Sequence, residues 1–522
     1  LKKGYIRKDF DWDLQNFLWT EKYINELDIS KRNVVKKLIS NFRQQEKKYK
    51  QLRKSIIHND INDNNIIVSE DLKVPNIIGI IDFGDCTYTQ LVNEVAILCT
   101  YAIIGSKNPL ISACEVLEGF NNSLKIKEEE IDFLYDLILM RITVSLIKSS
   151  LNKKNNRDNK YLVISQDDMK LLFKNWSMIN KELALCFFRK SCGYSPHKNE
   201  KKFSTIIKEN NSSLNILFKT LNKKDPKVID MSVSSEWLDN EMIIDNNRFE
   251  QKLKSNSDDK LLCGGYLEIR PVYDSLDYEK ITDYGTENRT THLGIDFWVN
   301  EKTPVYSIMG GFVKIITNDK TKKGYGGLII IEHSINNIKY YSLYGHLSDQ
   351  KKSKIKKGQK INKGQKIGEI GNKKENGGWT PHLHFQIMLT LLNFKNDFPG
   401  VCFFNEKNVW SSICPNPEII LNIKLPRKKA QENDKLIKLR KKYLGANLKL
   451  SYQTPLHIVR GFNQFLFDNY GRKFLDTVNN IAHVGHQNIT VVKSAKKQLG
   501  ILNTNTRSVS YTHLRAHETK WH

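Results

Sequence analysis

The sequence predicts a multidomain α+β chain: a mainly helical first part, an antiparallel β-sheet in the middle, and the opening of an α/β domain near the end. Three observations lead there. At 522 residues the chain exceeds one domain and suits about three. Residues 29–55 read as a basic helix that stops before an apolar strand, and residues 131–147 as a further helix. From Lys302 onward, short strands alternate with glycine turns, as in Met309-Gly310-Gly311 and Lys323-Gly324-Tyr325-Gly326-Gly327.

The formal charge is +25, an excess made mostly of lysines spread among Asn and Ile rather than gathered into an Arg-rich face. That pattern reads as a solvated surface, so nucleic acid is not the expected partner. The eight cysteines include no C-x-x-C pair, which excludes a zinc ribbon and a thioredoxin-like motif and suits a reducing compartment. The longest apolar run, residues 95–104, is too short to span a bilayer. A cytoplasmic location and no membrane partner are therefore expected. The chain begins at Leu1, so an export signal on a preceding segment stays open.

In the first part, His58-Asn59-Asp60 is followed by Asn65, and then by an apolar strand ending in Asp82-Phe83-Gly84. H-x-D-x-x-x-x-N followed by D-F-G on a strand has a mechanical meaning. One aspartate accepts the proton of an attacking hydroxyl, while the asparagine and the second aspartate hold magnesium on nucleotide phosphates. The stretch resembles the C-terminal lobe of aminoglycoside phosphotransferase and choline-kinase-like enzymes, which phosphorylate small hydroxylated amines. The resemblance implies Asp60 as catalytic base, Asn65 and Asp82 as magnesium ligands, ATP and Mg²⁺ as cofactors, and His58 as shaper of the catalytic loop. It covers roughly residues 1–220. No Gly-rich phosphate loop and no strand lysine precede His58, so the present sequence is not expected to be a competent kinase. Residues 148–160 read as a polar loop in this lobe, and residues 221–261 as a linker.

The middle part carries five of the thirteen histidines: His292, His333, His346, His382 and His384. Alternate residues of a strand share a face, so His382 and His384 are neighbours, and His292 and Asp296 point the same way if extended. Three such groups from separate strands form an N/O pocket suited to zinc. The near-duplicate Lys357-Gly358-Gln359 and Lys363-Gly364-Gln365 reads as a pair of tight turns whose lysines face water.

H-x-x-x-D, then Y-x-H-L, then K-G-Q-x-x-x-x-G-Q, then H-x-H resembles the lysostaphin-type zinc endopeptidases, compact β-sheet enzymes that cut glycine-containing peptide cross-links. The match runs over residues 262–423. It implies zinc on His292, Asp296 and His384, with the fourth position left for water. It also implies His346 and His382 as the groups that take the water's proton and donate to the oxyanion or the leaving amine. That role suits near-ordinary histidine pKa values in a half-exposed groove. His333 lies outside the signature and reads as a surface or structural residue.

Residues 424–443 read as a basic linker helix. From Leu444 the text changes, through Tyr452-Gln453-Thr454-Pro455, Phe467-Asp468 and Asn479-Asn480 to His483 and His486. Residues 444–507 resemble the beginning of class III pyridoxal-phosphate aminotransferases, nearest to the ethanolamine-phosphate phospho-lyase branch. The cofactor's lysine lies further on in that family, so pyridoxal phosphate belongs to a longer parent and no residue here is assigned to it. His483 and His486 are not read as metal ligands. Residues 508–522 look like translated adapter DNA and are set aside.

The resemblances together imply a mainly helical kinase-like C-lobe, an antiparallel β-sheet peptidase core and a truncated α/β aminotransferase start. Two functional readings stay open. One is a zinc metalloendopeptidase acting on a peptide. The other is a non-catalytic scaffold that joins a kinase and a lyase acting on small phosphorylated amino alcohols. Oligomeric state is not legible.

Overall fold

The computed structural model describes residues 7, 9–71, 74–155, 161–221, 226–256, 260–273, 276–282, 285–321, 323–426, 433–445, 447–448, 450, 455–477 and 483–502. The chain divides into two compact units. One holds residues 1–201 with 281–285; the other holds 202–280 and 286–522. Among the described residues, no helix is long and apolar enough to cross a membrane.

The first unit is helical. Its longest helix, Glu128–Asn155, packs beside Val92–Ala102 and Tyr161–Met178. Ile131, Leu134, Ile138 and Ile142 recur at helical spacing and are fully buried. Two short ladders carry the loops of interest. Lys54–Ile57 pairs with Thr87–Gln90, and Ile66–Val68 pairs with Ile77–Ile80. The polar loop expected at residues 148–160 is instead helical as far as Asn155. Polar residues continue a helix unless glycine or proline interrupts it, and Lys148 and Lys154 pair with Asp11 and Glu26. Residues 156–160 lie outside the described set.

The second unit is built on an eight-stranded sheet. In chain order its strands are β1 (Pro226–Ile229), β2 (Leu261–Gly264), β3 (Ile295–Trp298), β4 (Gly311–Asp319), β5 (Gly326–Ile335), β6 (Ile338–Leu347), β7 (Lys360–Ile361) and β8 (His382–Met388). The spatial order is β7-β4-β5-β6-β8-β3-β2-β1. Leu328, Ile329, Ile330 and Ile331 of β5 have no exposed surface, so this central strand is covered on both faces. The duplicated K-G-Q turns use one device twice. Gln359 Oε1 accepts from Lys356 N, and Gln365 Oε1 from Asn362 N, with Gly358 and Gly364 at φ +82° and +71°. Lys357, Lys360, Lys363 and Lys366 are exposed.

Three expectations change here. Residues 202–220, assigned to the helical lobe, belong to this second unit. Phe203, Ile206 and Ile207 fall on one helix side and pack into the sheet core, with the Phe203 ring 5.1 Å from Tyr340. The expected linker is structured where described. Its β1 pairs parallel with β2, which makes the sheet mixed rather than wholly antiparallel. Helices Asn240–Ile244 and Asn246–Ser255, capped by Asp239 and Asp245, follow it. Composition made this stretch look like a linker. Met231, Leu238, Met242, Phe249 and Leu253 nevertheless form a small core with Leu262.

Near the end, the helix Asn433–Tyr443 stands where the basic linker helix was expected. A three-stranded meander follows over Ile458–Phe462, Phe465–Asp468 and Lys473–Leu475, then the helix Ile489–Leu499. Tyr452 to Thr454, Asn479, Asn480 and residues 503–522 lie outside the described set.

Candidate metal centre and phosphotransfer loop

His292, Asp296 and His384 converge because of strand register. Asp296 on β3 lies directly opposite His384 on β8, and His292 precedes β3 in a two-residue strand, Thr291–His292. Their donor atoms all lie within 4.8 Å of one another, and all three residues are buried. His292 Nε2 is 2.9 Å from His384 Nδ1 and 3.3 Å from Asp296 Oδ1, and His384 Nδ1 is 3.0 Å from Asp296 Oδ1. Tetrahedral zinc with ligand bonds near 2.0–2.1 Å separates its donors by about 3.3 Å, so the set fits that ion.

The outer hydrogen bonds fix which nitrogens carry protons. His292 Nδ1–H donates to Gly265 O at 3.2 Å. His384 Nε2–H donates to Gln386 Oε1 at 2.9 Å, and the Gln386 amide is oriented by donating to Pro399 O. The two inward nitrogens therefore present lone pairs to each other, an arrangement a cation relieves. Burial lowers the His292 pKa to about 4, which keeps it neutral. For Asp296, burial pushes the carboxyl up, but His292, Arg270 and His382 outweigh it and hold it well below the usual carboxylate range.

His346 and His382 complete the floor, their rings 4.2 Å apart. His346 Nδ1–H donates to Asn376 O and His382 Nδ1–H to Thr380 O, so both Nε2 atoms are free to accept a proton. His346 has φ +63°, a left-handed conformation uncommon outside glycine and met at functional sites. The expected half-exposed groove is not seen. Both residues are 6% exposed, and burial lowers both pKa values. His333 is structural: it is buried between Gly310 O and Ser342 Oγ, at 2.7 Å from each.

A cavity of about 320 Å³ opens over the five residues. Met231, Met242, Ile243 and Phe249, all from the stretch read as linker, wall one side; Tyr325, Trp379 and Lys323 line another. Sequence reasoning missed this wall, and it missed Arg270, which donates to Asp296, and Glu268, which accepts from Arg270. The alternation Glu268-Ile269-Arg270, which puts two charges on one side if extended, was the available signal.

In the helical unit, Asn65 Nδ2 donates to Asp60 O at 2.8 Å and to Asp60 Oδ2 at 3.2 Å. His58 ties the loop to the next strand, donating from Nε2 to Ile81 O and accepting at Nδ1 from Asp60 N. Asp82 is exposed, at φ +58°, and accepts from Gly84 N. The structure thus joins Asp60 to Asn65 and leaves Asp82 turned to solvent. Burial raises the Asp60 pKa, opposed by Arg141, whose Nη2 donates to Oδ1 at 2.7 Å. Arg141 lies 81 residues away on the helix Glu128–Asn155, so spacing gave no hint of it.

Comparison with known proteins agrees with the two segments. The model of peptidase family M23 matches residues 290–395, and that of the phosphotransferase enzyme family matches residues 8–118. Hydroxylysine kinase from Mus musculus is 34% identical over 169 residues, 31% of this chain and 45% of that protein. The chain thus spans less than half of that relative. Alanine–glyoxylate aminotransferase 2-like from Drosophila melanogaster is 44% identical over 72 residues, 14% of this chain and 15% of that protein. Among solved structures, the catalytic domain of lysostaphin from Staphylococcus simulans is 28% identical, covering 26% of this chain and 81% of that one at a TM-score of 0.19. The chain accordingly carries, at residues 290–395, a segment similar to peptidase family M23 and, at residues 8–118, one similar to the phosphotransferase enzyme family.

Proposed function

We propose that the second unit is a zinc-dependent metalloendopeptidase, with His292, Asp296 and His384 holding the metal. One observation carries this reading. Both imidazoles spend their ring protons on outward acceptors, so Nε2 of His292 and Nδ1 of His384 turn lone pairs towards each other at 2.9 Å. Zinc held by these three residues would supply polarisation of a peptide carbonyl and a water of near-neutral pKa. The chain supplies the rest. His346 and His382, each with Nδ1–H fixed on a backbone carbonyl, take the attacking water's proton at Nε2. Once protonated, either donates to the developing oxyanion or to the leaving amine. The buried setting disfavours imidazolium at rest, so both bases start neutral.

The test is zinc content beside peptide cleavage. The purified chain should carry about one zinc, as a three-ligand site with its fourth position open to water implies. His384→Ala should lose it, and His346→Ala should keep zinc but lose hydrolysis of Gly-rich peptides. Folded wild-type chain without zinc overturns the reading.

A second reading concerns the first unit and is favoured by the Asp60–Asn65 contact. It is phosphotransfer from ATP to a small hydroxylated amine by the longer protein, with Asp60 as base and Asn65 and Asp82 on Mg²⁺. Full-length protein that turns over no ATP with any of a panel of amino alcohols removes it.

A further inference from the structure

Asp296 presents one oxygen to the two imidazoles, and the other is already engaged. Arg270 Nη1 donates to Asp296 Oδ2 at 2.5 Å, and Arg270 Nε donates to Glu268 Oε2 at 2.8 Å. Glu268 Oε1 in turn accepts from Met231 N at 2.8 Å, just beyond β1. The backbone runs alongside, with Val233 N donating to Ile269 O at 2.7 Å. Arg270 is 3% exposed. Gly264 lies against its guanidinium, since a Cβ there would come within 2.5 Å of Nη2 and 2.9 Å of the Trp298 ring. The guanidinium has a single position, held by a carboxylate on each side and by a glycine and an indole.

We propose that Arg270 is a positioning residue for the metal centre, with Glu268 as its anchor. The proposal rests on the zinc reading above. Arg270 occupies Oδ2, so Asp296 can offer the metal only Oδ1, as a one-oxygen ligand in the register that β3 and β8 impose. Glu268 fixes the guanidinium through its second edge. It also connects the site to residues 229–233, the start of the wall over the cavity. Arginine suits this task because its planar fork donates in two directions at once, which lysine cannot reproduce. The charge count leaves the site its pull on a dication: two carboxylates and one guanidinium sum to one negative charge.

Positioning and charge predict opposite outcomes when Arg270 is removed. By charge alone, Arg270→Met makes the site more negative and strengthens metal binding. As a positioning residue, Arg270 contributes order, and its loss weakens binding by about 10–100-fold, the usual cost of deleting the partner of a metal ligand. The experiment measures Zn²⁺ dissociation constants of the full chain by chelator competition, and visible absorption of the Co²⁺-loaded protein. Wild type, Arg270→Met, Arg270→Lys and Glu268→Gln are compared at temperatures well below their unfolding transitions.

The expected result is weaker Zn²⁺ binding in Arg270→Met with an altered Co²⁺ spectrum, because the released carboxylate can engage through both oxygens. Arg270→Lys should recover only part of the loss. Glu268→Gln keeps its shape but weakens the hold on the guanidinium edge, and should weaken binding by less than the roughly 10-fold lower bound expected of Arg270→Met. Unchanged or tighter binding with a wild-type spectrum in folded Arg270→Met overturns the proposal. Should that variant fail to fold, wild-type affinity in Glu268→Gln overturns it equally. A wild-type chain that takes neither metal refutes the zinc reading itself, an outcome distinct from equal binding by wild type and variants.

Discussion

Asp296 and His384 sit directly opposite each other on neighbouring antiparallel strands, and Nδ1 of one lies 3.0 Å from Oδ1 of the other. Register, rather than a flexible loop, brings the carboxylate to the imidazole. Replacing Asp296 with Asn keeps the shape and removes the charge. Arg270 then keeps Glu268 as its counter-charge, and its bond to residue 296 goes from a charged acceptor to a neutral one. That exchange costs about 1 kcal/mol. We expect Asp296→Asn to purify without zinc and to unfold at a lower urea concentration than wild type. Retained zinc, measured by mass spectrometry, would contradict the ligand assignment.

Gly294, between His292 and Asp296, is glycine for want of room. A Cβ on it would lie 2.7 Å from both Cε1 and Nε2 of His384 and 2.7 Å from Phe385 O. Neither the backbone oxygen nor a ring bonded on both sides can move aside cheaply. Gly294→Ala should therefore displace the His384 ring, with an overpacking cost of about 1–3 kcal/mol and a loss of zinc affinity larger than the loss of stability. Gly358→Ala is a matched control. It has nothing within 4 Å and is strained only by its positive φ. It should leave metal binding at the wild-type value, as read by chelator competition.

Much of this site was legible because its chemistry is local in sequence. His382 and His384 share a strand face by alternation, and the Gly-rich turns announced the strands around them. The boundaries were less legible. Residues 202–220 follow directly on a helical lobe, and only tertiary packing of Phe203 and Phe218 assigns them to the sheet. The stretch 226–256 is rich in Asp, Asn, Ser and Lys, so its few apolar residues gave no warning that Met242 and Phe249 wall the cavity. Arg141 on Asp60 is a contact 81 residues long. No spacing rule reaches that far. The degree of burial of His346 and His382 was also beyond sequence reading, since it depends on what Trp379 and residues 231–249 cover.

Arg460 fastens the C-terminal meander to the sheet unit. It is 7% exposed and donates to Val233 O at 2.6 Å, Asn240 Oδ1 at 2.7 Å and Ser235 O at 2.5 Å. All three acceptors are neutral, so the arrangement depends on the charged donor, each such bond contributing about 1.5–3 kcal/mol. Arg460→Met leaves three acceptors unserved and should cost about 3 kcal/mol or more. The expected readout is limited proteolysis, with faster cleavage within residues 455–477 while the sheet core resists. Equal cleavage rates would show that Thr290 Oγ1 on Tyr470 O and the Phe404–Tyr470 stack suffice to hold the meander.

His333 makes the fold sensitive to acid. Burial lowers its pKa to about 4, opposed by the hydrogen bond to Gly310 O and by Glu332. In the unfolded chain a histidine titrates near 6.5. Between those values the unfolded state binds more protons, so this residue's contribution is complete above about pH 6.5 and drains away as pH falls towards 4. The full span corresponds to about 3 kcal/mol. His333→Gln cannot titrate, and it keeps an amide able to meet Gly310 O. Its urea midpoint should lie below wild type at pH 7.5, through imperfect packing between Gly310 and Ser342. That gap should shrink or reverse at pH 4.5, where only the wild type carries the proton penalty. A gap unchanged between the two pH values would mean that His333 does not set the acid limit. His197, buried and likewise lowered to about 4, is then the next residue to replace.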